Sequence, residues 1–409
     1  MSVQSIARAL RDQIRDTIDL AGDHSDESFY RSIEETVFRY AGESYMTANE
    51  RREVVKAIFN SFRGLDVLQP LIDDPAITEV MINAYDEIYI EREGRVLPFE
   101  GRFESAGKLE DVIQSIVAKV NRVVNESSPI VDARLPDGSR VNVVLPPIAL
   151  KGPAMTIRKF PSSPLMMEQL ISRGAIHDEA AAFLAKLVRG KYNVFIGGGT
   201  GSGKTTFLNA LCAYVPEDER IVTIEDSAEL QIRGVPNWVR LETRNANTEG
   251  KGAITIRDLI RASLRMRPNR IIVGEVRGAE AFDMLMAMNT GHDGSLSTGH
   301  ANSVRDMLSR LETMVLSGAA LPVDVVRKQI ESALDIMVHL SRFRDRSRRV
   351  TEITEIAGME DGEIRLNPLY TFVEEGEDEA GMVLGRLQRT GNPLLGMQKL
   401  EQAGISLLP

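Results

Sequence analysis

Eight consecutive residues near the middle of the chain have the types and spacing of a phosphate-binding loop. Residues 198–205 read Gly-Gly-Thr-Gly-Ser-Gly-Lys-Thr, which fits the pattern of a glycine, four residues and then Gly-Lys-Ser/Thr. Glycines let the backbone curl so that several N–H groups face one anion, and the start of a following helix adds partial positive charge. We expect Lys204 to reach the β- and γ-phosphates of a nucleoside triphosphate, and the Thr205 hydroxyl to ligate Mg²⁺. The loop residues expected to contact the nucleotide are Gly199, Thr200, Gly201, Ser202, Gly203, Lys204, Thr205 and Thr206.

Two more segments place carboxylates where a hydrolytic site needs them. Glu275 follows the apolar residues 271–273, and Glu225 and Asp226 follow the apolar residues 221–224. In open α/β sheets, ligands bind at the carboxyl ends of the strands. We therefore expect Glu275 to orient the attacking water or to hold Mg²⁺ through water, and Glu225 to supply a second carboxylate for the water or the metal. Asp226 could also supply this second carboxylate, and its alternative role is to cap the following helix.

Two of the five histidines, His292 and His300, lie close together in polar segments that contain glycine. An imidazole that donates or accepts a hydrogen bond there could sense whether the γ-phosphate is present. Zinc binding is the alternative, but the two histidines lack a third ligand at metal spacing. We expect His300 to act in catalysis, His292 to contact ATP, and no zinc to bind.

Arginines complete the candidate site, because phosphoryl transfer gains from a cation that spreads the charge of the transition state and that often comes from another subunit. Candidates for such a cation are Arg134, Arg140 and Arg158, and also Arg265, Arg267, Arg270 and Arg277 around the Glu275 segment. Of these, Arg277 is expected to contact ATP. A surface salt bridge is the alternative for each of them. A separate basic cluster, interpreted as solvated or facing a partner and without a role in the chemistry, consists of Arg342, Arg344, Arg346, Arg348 and Arg349.

The residues around the loop predict the strand and the helix that should position it. Residues 194–196 are apolar and predict a buried parallel strand. After the loop, Phe207, Leu211 and Val215 have helical spacing until Pro216 ends the pattern. Further apolar strands at 221–224 and 271–273, separated by helical stretches, indicate a parallel sheet of the α/β class.

The remaining patterns divide the chain. The N-terminal residues read as helices, one of them starting with a capping box at Thr47 and Glu50. Short strands and one helix with apolar positions from Leu109 to Val124 follow. A hairpin around Asp361-Gly362 and helical residues near 380–405 complete the prediction. The predicted division is a helical segment at 1–65, an α+β domain at 66–159, a proline-containing linker at 160–165 and an α/β domain at 166–409.

Composition restricts the classes of function. The chain has 409 residues, 43% hydrophobic and 26% charged, with a formal net charge of −10, as in a soluble globular protein. A strongly negative charge argues against broad affinity for nucleic acid. The N-terminus lacks the basic and apolar regions of a signal peptide, and one cysteine excludes an internal disulfide framework. These features predict a cytoplasmic protein.

The order of the motifs resembles that of the secretion ATPase superfamily. The phosphate-binding loop, residues 224–226, residues 272–278 and residues 290–302 resemble its Walker A, Asp box, Walker B and His box. The phrases at 264–268 (Leu-Arg-Met-Arg-Pro) and 289–294 (Asn-Thr-Gly-His-Asp-Gly) are most similar to the CpaF-type ATPases of tight-adherence (Tad/Flp) pili. One departure is Gly299, which is smaller than the residue expected before the histidine. The absence of a tetracysteine zinc module argues against the branch of type II secretion and type IV pilus extension.

The resemblance implies an α/β fold with a C-terminal RecA-like P-loop NTPase domain, an N-terminal α+β domain and an additional N-terminal helical segment. It also implies a homohexameric ring, peripheral at the inner face of the cytoplasmic membrane, that hydrolyses ATP to ADP with Mg²⁺. In such a ring, ATP is expected between the two domains, with Arg134, Arg140 and Arg158 closing on the phosphates. Hydrolysis is expected to work on an inner-membrane platform protein that adds pilin to a pilus, or to serve a related type II/IV secretion system.

Two alternative functions compete with this one. A nucleic-acid-translocating motor on the same core would need basic or aromatic binding surfaces, whereas aromatic residues make up only 5% of the chain and its net charge is negative. We therefore expect no nucleic-acid partner. A nucleotide-gated scaffold, which binds ATP without hydrolysing it, is disfavoured by the presence of Glu275 and Glu225.

Overall fold

The computed structural model describes residues 3–17, 25–120, 122–160, 163–246 and 250–407. The chain separates into two compact units, residues 1–162 and 163–409. Residues 1–65 belong to the same unit as the sheet that follows them, so the predicted division at 65 stays a prediction. Pro161 and Ser162 of the predicted linker lie outside the described residues. No helix in the described part of the chain is long and apolar enough to cross a membrane.

The first unit begins with three helices that bury an apolar cluster of their own. The predicted capping box is confirmed: the Thr47 hydroxyl accepts from the Glu50 N–H, and the Glu50 carboxylate accepts from the Thr47 N–H. Such reciprocal bonds satisfy donors that a helix start leaves unpaired. The three helices are α1 (Val3–Thr17), α2 (Asp26–Glu43) and α3 (Ala48–Arg63), and the short α4 (Gln69–Asp73) follows them.

The rest of the first unit is a six-stranded antiparallel sheet in the order β3-β2-β1-β6-β5-β4. One helix, α5 (Ala106–Lys119), packs in the same apolar core. Val124 lies beyond its end and is buried in that core, so the predicted helix is too long. The strands are β1 (Ile77–Ala84), β2 (Glu87–Arg92), β3 (Arg95–Phe99), β4 (Ile130–Arg134), β5 (Arg140–Val144) and β6 (Ala154–Arg158).

The second unit contains a nine-stranded sheet with helices on both faces, in the order β15-β14-β13-β12-β7-β11-β10-β8-β9. Its helices are α6 (Met167–Ser172), α7 (Asp178–Arg189), α8 (Lys204–Cys212), α9 (Ile256–Ser263), α10 (Glu280–Met288), α11 (Val304–Gly318), α12 (Val323–Ala333) and α13 (Gln398–Gln402). Its strands are β7 (Val194–Gly198), β8 (Ile221–Glu225), β9 (Trp238–Glu242), β10 (Arg270–Val273), β11 (Leu296–His300), β12 (Ile336–Arg342), β13 (Arg348–Glu360), β14 (Glu363–Glu377) and β15 (Val383–Arg389).

The six strands β7 to β12 are parallel, and β13 to β15 continue the sheet as an antiparallel meander. All carboxyl ends of the parallel strands therefore lie along one edge, here called the carboxyl edge, and all their amino ends along the other, the amino edge. Two apolar clusters cover the two faces. Cys212 at the end of α8 is fully buried in one of them, and burial raises the pKa of its thiol to about 12.

The predicted α/β class, the strands at 194–196, 221–224 and 271–273 and the hairpin around Asp361-Gly362 are confirmed. The helix after the loop ends at Cys212, before Val215. The prediction of helix at 380–405 is wrong for 383–389, which form β15. The long strand β14 leaves backbone donors and acceptors along its edge, and β15 pairs with them while Val383 and Leu387 are buried.

Candidate functional site

The phosphate-binding loop leaves β7 at the carboxyl edge and enters α8 directly at Lys204. Gly201 and Gly203 adopt φ values of 70° and 94°, in the left-handed region that side chains with a Cβ rarely adopt. The loop therefore needs glycine at these positions, and its curvature places the start of α8 against the ligand. The predicted order of strand, loop and helix is confirmed.

Lys204 is buried, and its hydrogen-bond partners among the described residues are neutral groups. Its Nζ donates to the carbonyls of Gly198 (3.1 Å) and Gly199 (3.0 Å) and lies 3.1 Å from Nδ1 of His300. Burial lowers the pKa of Lys204, and the nearby Glu275 charge opposes this effect. Since neutral acceptors hold an ammonium less strongly than a phosphate does, an incoming phosphate can displace them.

His300, the last residue of β11, connects Lys204 to Glu275. Its Nε2 lies 3.0 Å from Oε1 of Glu275. Burial, followed by the positive charge of Lys204, lowers the pKa of His300 below 6.5, so the ring is neutral at pH 7. The consistent tautomer has Nδ1 accepting from Lys204 and Nε2–H donating to Glu275.

The residue before His300, Gly299, is surrounded by side chains that leave little room for a Cβ. A Cβ there would lie 3.0 Å from Met307 Cε and from Phe195 Cζ. Because both contacts are tighter than ordinary van der Waals contacts, a larger residue would push against the strand that carries His300. The glycine that departs from the family pattern is thus matched to the side chains around it.

Glu275 is held by Arg277 in a two-point contact. The Nε and one NH2 group of Arg277 each lie 3.1 Å from a different oxygen of Glu275, and the third guanidinium nitrogen lies 3.5 Å from Asp226. The bonds with Glu275 raise the pKa of Arg277. Arg277 therefore orients the carboxylate that was predicted to position water, and it connects the ends of β8 and β10.

Glu225, at the end of β8, faces its own loop. Its Oε1 accepts from the N–H groups of Glu229 (2.8 Å) and Leu230 (2.9 Å). Its Oε2 is buried without a hydrogen-bond partner among the described residues. Burial raises the pKa of Glu225 to about 7, against the opposing effect of the two N–H groups. A Cβ on the neighbouring Gly274 would lie 2.9 Å from its Cγ, so the two loops pack tightly.

The residues predicted to hold Mg²⁺ supply suitable oxygens. Thr205 is part-exposed in the first turn of α8, and Oε2 of Glu225 is a buried acceptor without a partner among the described residues. Mg²⁺ prefers hydroxyl, carboxylate, water and phosphate oxygens. The chemistry of these two groups therefore fits the ion.

The three arginines predicted in the first unit form a row across its sheet. Arg134 lies opposite Arg140, Arg140 lies opposite Arg158, and Arg158 lies opposite Glu79. Directly paired residues share a face of a sheet, so the structure brings together arginines that are far apart in the sequence. Burial raises the pKa of Glu79, and the charge of Arg158 opposes that rise. The roles of the three arginines in catalysis stay predictions.

His292 lies at the amino edge of the sheet, whereas Lys204 lies at the carboxyl edge. It precedes β11, in a loop whose Gly294 and Ser295 N–H groups donate to the side chain of Asn193 at the amino edge. Its Nδ1 lies 3.2 Å from the Ala287 carbonyl. A contact between His292 and a nucleotide held by Lys204 of the same unit would have to span the length of the strands, and the contact of His292 with ATP stays a prediction.

Arg270, one of the arginines predicted near Glu275, is also at the amino edge. It is fully buried, and its Nε and NH2 donate to the two oxygens of Glu219 at 2.5 and 3.0 Å. Its NH1 donates to the carbonyls of Val188 and Gly294. With all these bonds made inside the protein, Arg270 has a structural role and is not available to a nucleotide.

Two arginines that were assigned no chemistry lie beside the phosphate-binding loop. Arg348 Nε donates to the Gly201 carbonyl at 2.8 Å, and Arg342 NH1 lies 3.7 Å from the place of a Cβ on Gly201. The sequence carries no local signal of this proximity, because it arises from the pairing of β12 with β7, about 140 residues apart. These two residues extend the candidate site.

Comparison with known proteins gives a consistent result. The family described as "Type II/IV secretion system protein" matches residues 62–366. The conjugal transfer protein TrbB of Rhizobium radiobacter is 32% identical over 314 residues, which are 76% of this chain and 93% of that protein. The type IV secretion system protein VirB11 of Brucella suis biovar 1 is 32% identical over 303 residues, 68% of this chain and 84% of that protein.

The fold is also found among solved structures. The X-ray structure of the Legionella pneumophila ATPase DotB superposes with a TM-score of 0.51 at 23% identity, covering 69% of this chain and 78% of that one. At this identity the likeness concerns the fold alone. The matched part of the present chain includes the phosphate-binding loop and the strand ends that carry Glu225, Glu275 and His300.

Proposed function

The chain belongs to the type II/IV secretion system protein family, and on this premise we propose that it is an ATP-hydrolysing motor that drives assembly of a Tad/Flp-type pilus. The observation that carries this proposal is the chain of contacts from Lys204 through His300 to Glu275 and Arg277 beside the phosphate-binding loop. It joins a phosphate-binding cation to a carboxylate held in one orientation, which is the pairing that hydrolysis requires.

In the proposed reaction, the N–H groups of the loop and Lys204 bind the β- and γ-phosphates. Lys204 exchanges the Gly198 and Gly199 carbonyls for phosphate oxygens. Glu275, fixed by Arg277, orients the attacking water and accepts its hydrogen bond. His300 stands between Lys204 and Glu275, so its hydrogen bonds change when Lys204 moves to a phosphate. Mg²⁺, held by Thr205 and by Oε2 of Glu225, would neutralise charge on the β- and γ-phosphates.

We further propose that the protein works as a homohexamer at the cytoplasmic face of the inner membrane, on a platform protein of the pilus or secretion system. Nucleotide-driven rigid-body motion is a common way for such motors to do work. The roles of Arg134, Arg140 and Arg158 as cations acting between subunits remain predictions within this proposal.

A motor of a conjugation-type secretion system is the second candidate. The names of two similar proteins favour it, since one is a conjugal transfer protein and the other a type IV secretion system protein. In both candidates the ATP site would be the same, and only the transported material would differ.

The ATP site is tested by phosphate release from the purified protein and from Lys204→Ala. Loss of Lys204 removes the cation that meets the β- and γ-phosphates, so turnover should fall at least about 100-fold while the thermal unfolding midpoint is retained. Turnover at the wild-type rate in this variant would overturn the proposal. Light scattering with nucleotide should give the mass of six subunits.

The two candidates are separated in cells that carry a deletion of the gene. Complementation with the wild type should restore surface pili, counted by electron microscopy, and Lys204→Ala should not. Restored DNA transfer without any effect on pili would favour the conjugation-type motor. A large stimulation of ATP turnover by single-stranded DNA would instead favour a motor that acts on nucleic acid directly.

A further inference from the structure

The turn that joins β12 to β13 lies next to the phosphate-binding loop. β12 runs parallel to β7, and Leu340 pairs with Gly198, where the loop begins. Two residues further along β12, Arg342 pairs with Arg348 across the turn. Hydrogen bonding within the sheet therefore delivers this pair of arginines to the carboxyl edge beside the loop.

Arg348 touches the loop directly. Its Nε donates to the Gly201 carbonyl at 2.8 Å, and its Cδ lies 3.5 Å from the place of a Cβ on Gly203. The carbonyl and the N–H of one peptide unit point in opposite directions. Holding the Gly201 carbonyl toward Arg348 therefore turns the Ser202 N–H away from Arg348, where it donates to the Gly199 carbonyl at 3.3 Å.

The turn itself is held firmly in place. Asp345 is almost completely buried, and its carboxylate accepts from the Ser347 N–H (2.8 Å), the Ser347 hydroxyl (2.6 Å) and the Val383 N–H (2.9 Å). The Arg349 guanidinium lies over the rings of Phe343 and Phe372 at 5.4 and 5.5 Å. Such contacts orient Arg348 before any ligand arrives.

The charges of the two loop-facing arginines are not neutralised. Among the carboxylates that the structure describes, none forms an ion pair with Arg342 or Arg348, whereas Arg344 in the same turn pairs with Glu374 and Glu377. An uncompensated cation pair beside a phosphate-binding loop attracts a polyanion. A nucleoside polyphosphate is the anion that such a loop accommodates.

We propose that Arg348 is a positioning residue of the phosphate-binding loop, and that Arg342 adds attraction for the nucleotide. This inference rests on the proposed ATP site. Arg348 fixes the Gly201–Ser202 peptide so that the Ser202 N–H is available to a phosphate oxygen in exchange for the Gly199 carbonyl. Both triphosphate and diphosphate gain from this contact, so it contributes to nucleotide affinity and not to the hydrolytic step.

The test compares Arg348→Gln with Arg346→Gln, which removes an exposed arginine at the tip of the same turn. Arg348→Gln should weaken the binding of fluorescent ATP and ADP analogues about tenfold. KM for ATP should rise by the same factor and kcat should stay within about twofold. Arg348→Lys, which keeps a charged donor, should recover part of the loss, and Arg346→Gln should bind like the wild type.

Two further measurements separate the roles. Hydrogen–deuterium exchange of residues 199–206 without nucleotide should be faster in Arg348→Gln than in the wild type, because the loop has lost its support. Arg342→Gln should weaken binding by about threefold and reduce its dependence on salt, as expected for a purely Coulombic contribution.

The failure of this inference is distinguishable from the failure of the proposed function. If the wild type does not bind ATP, the proposed function fails. If the wild type binds ATP and Arg348→Gln shows the same affinity and the same exchange in the loop, the positioning role alone is overturned. A fall in kcat with unchanged KM would also contradict it.

Discussion

The cations at the two edges of the nine-stranded sheet have different kinds of partner. At the amino edge, two buried or half-buried cations meet carboxylates. Arg270 pairs with Glu219, and Lys399 of α13 lies 2.8 Å from Asp293 and 2.6 Å from Asp335. At the carboxyl edge, Lys204 meets two carbonyls and a neutral imidazole, and Arg348 meets a carbonyl.

This difference indicates that the two cations of the amino edge have a structural role, whereas Lys204 at the carboxyl edge is available to bind a ligand. A buried charge needs a partner inside the protein or one that arrives from outside. At the amino edge the partners are already present, and they fix the ends of strands and loops. At the carboxyl edge, Lys204 has neutral partners that a polyphosphate can replace. The contrast leads to different expectations for substitutions at each edge.

The largest effect is expected at the amino edge, on stability. Arg270→Met should lower the free energy of unfolding by about 3–5 kcal/mol, because the buried Glu219 carboxylate loses its two hydrogen bonds with Arg270 and keeps the more distant Lys191, at 3.9 Å. Urea denaturation followed by circular dichroism measures this loss. The ATP affinity of the folded fraction should be unchanged, since Arg270 contacts no part of the phosphate-binding loop.

The double variant Arg270→Met/Glu219→Gln serves as the control for the role of charge. Removing both charges eliminates the buried carboxylate that has lost its Arg270 partner, so the double variant should be more stable than Arg270→Met alone. If ATP affinity fell while stability was retained, the assignment of the amino edge to structure would be wrong.

The second effect is expected at the carboxyl edge, on turnover. Glu275→Gln keeps the size of the side chain and removes the carboxylate that Arg277 orients, so kcat should fall about 100-fold with little change in ATP affinity. Asp293→Asn at the amino edge is the matched control and should leave kcat unchanged. Equal phosphate release by wild type and Glu275→Gln, with ATP binding intact, would favour a nucleotide-gated scaffold over a motor.

The smallest effect concerns the pH dependence of stability and Glu225. Burial raises its pKa from 4.5 to about 7, so between these values the folded protein binds more protons than the unfolded chain. The contribution of protonated Glu225 to the free energy of unfolding is complete below pH 4.5 and is lost as pH rises through 7. From pH 5 to pH 7 without nucleotide or Mg²⁺, the wild type should lose about 2 kcal/mol more than Glu225→Gln.

Urea unfolding at several pH values measures the difference between the two proteins, because the other titrating groups are common to both. Parallel curves for wild type and Glu225→Gln would mean that Glu225 is ionised in the folded protein. In that case Glu225 would be charged in the folded protein, as the paired carboxylates of the amino edge are expected to be.

Much of the carboxyl edge could be predicted from sequence. The loop motif, the apolar strands and the carboxylates directly after them are local patterns, and parallel strands bring their carboxyl ends to one edge. Lys204, Glu225 and Glu275 were singled out in this way. The structure places Lys204 at the start of its helix, Glu225 at the end of its strand and Glu275 in the loop directly after its strand.

The remainder depends on pairings that local patterns do not contain. His292 and His300 are close in sequence, yet β11 between them separates the two edges. Arg348 reaches the loop only because β12 pairs with β7, and the row of Arg134, Arg140 and Arg158 depends on strand register. The C-terminal strand β15 forms because it pairs with the otherwise unpaired backbone groups of β14. The spacing of apolar residues does not reveal this pairing.

The burial of Cys212 has a practical consequence for observing the proposed motor at work. It is the only cysteine in the sequence, it is fully buried, and its pKa of about 12 keeps it protonated near neutral pH. Thiol-reactive dyes attack the accessible thiolate, so the native residue can remain in place. Cysteines introduced singly in each of the two compact units could carry a donor and an acceptor dye, and single-molecule energy transfer would then follow each turnover in an otherwise unmodified chain.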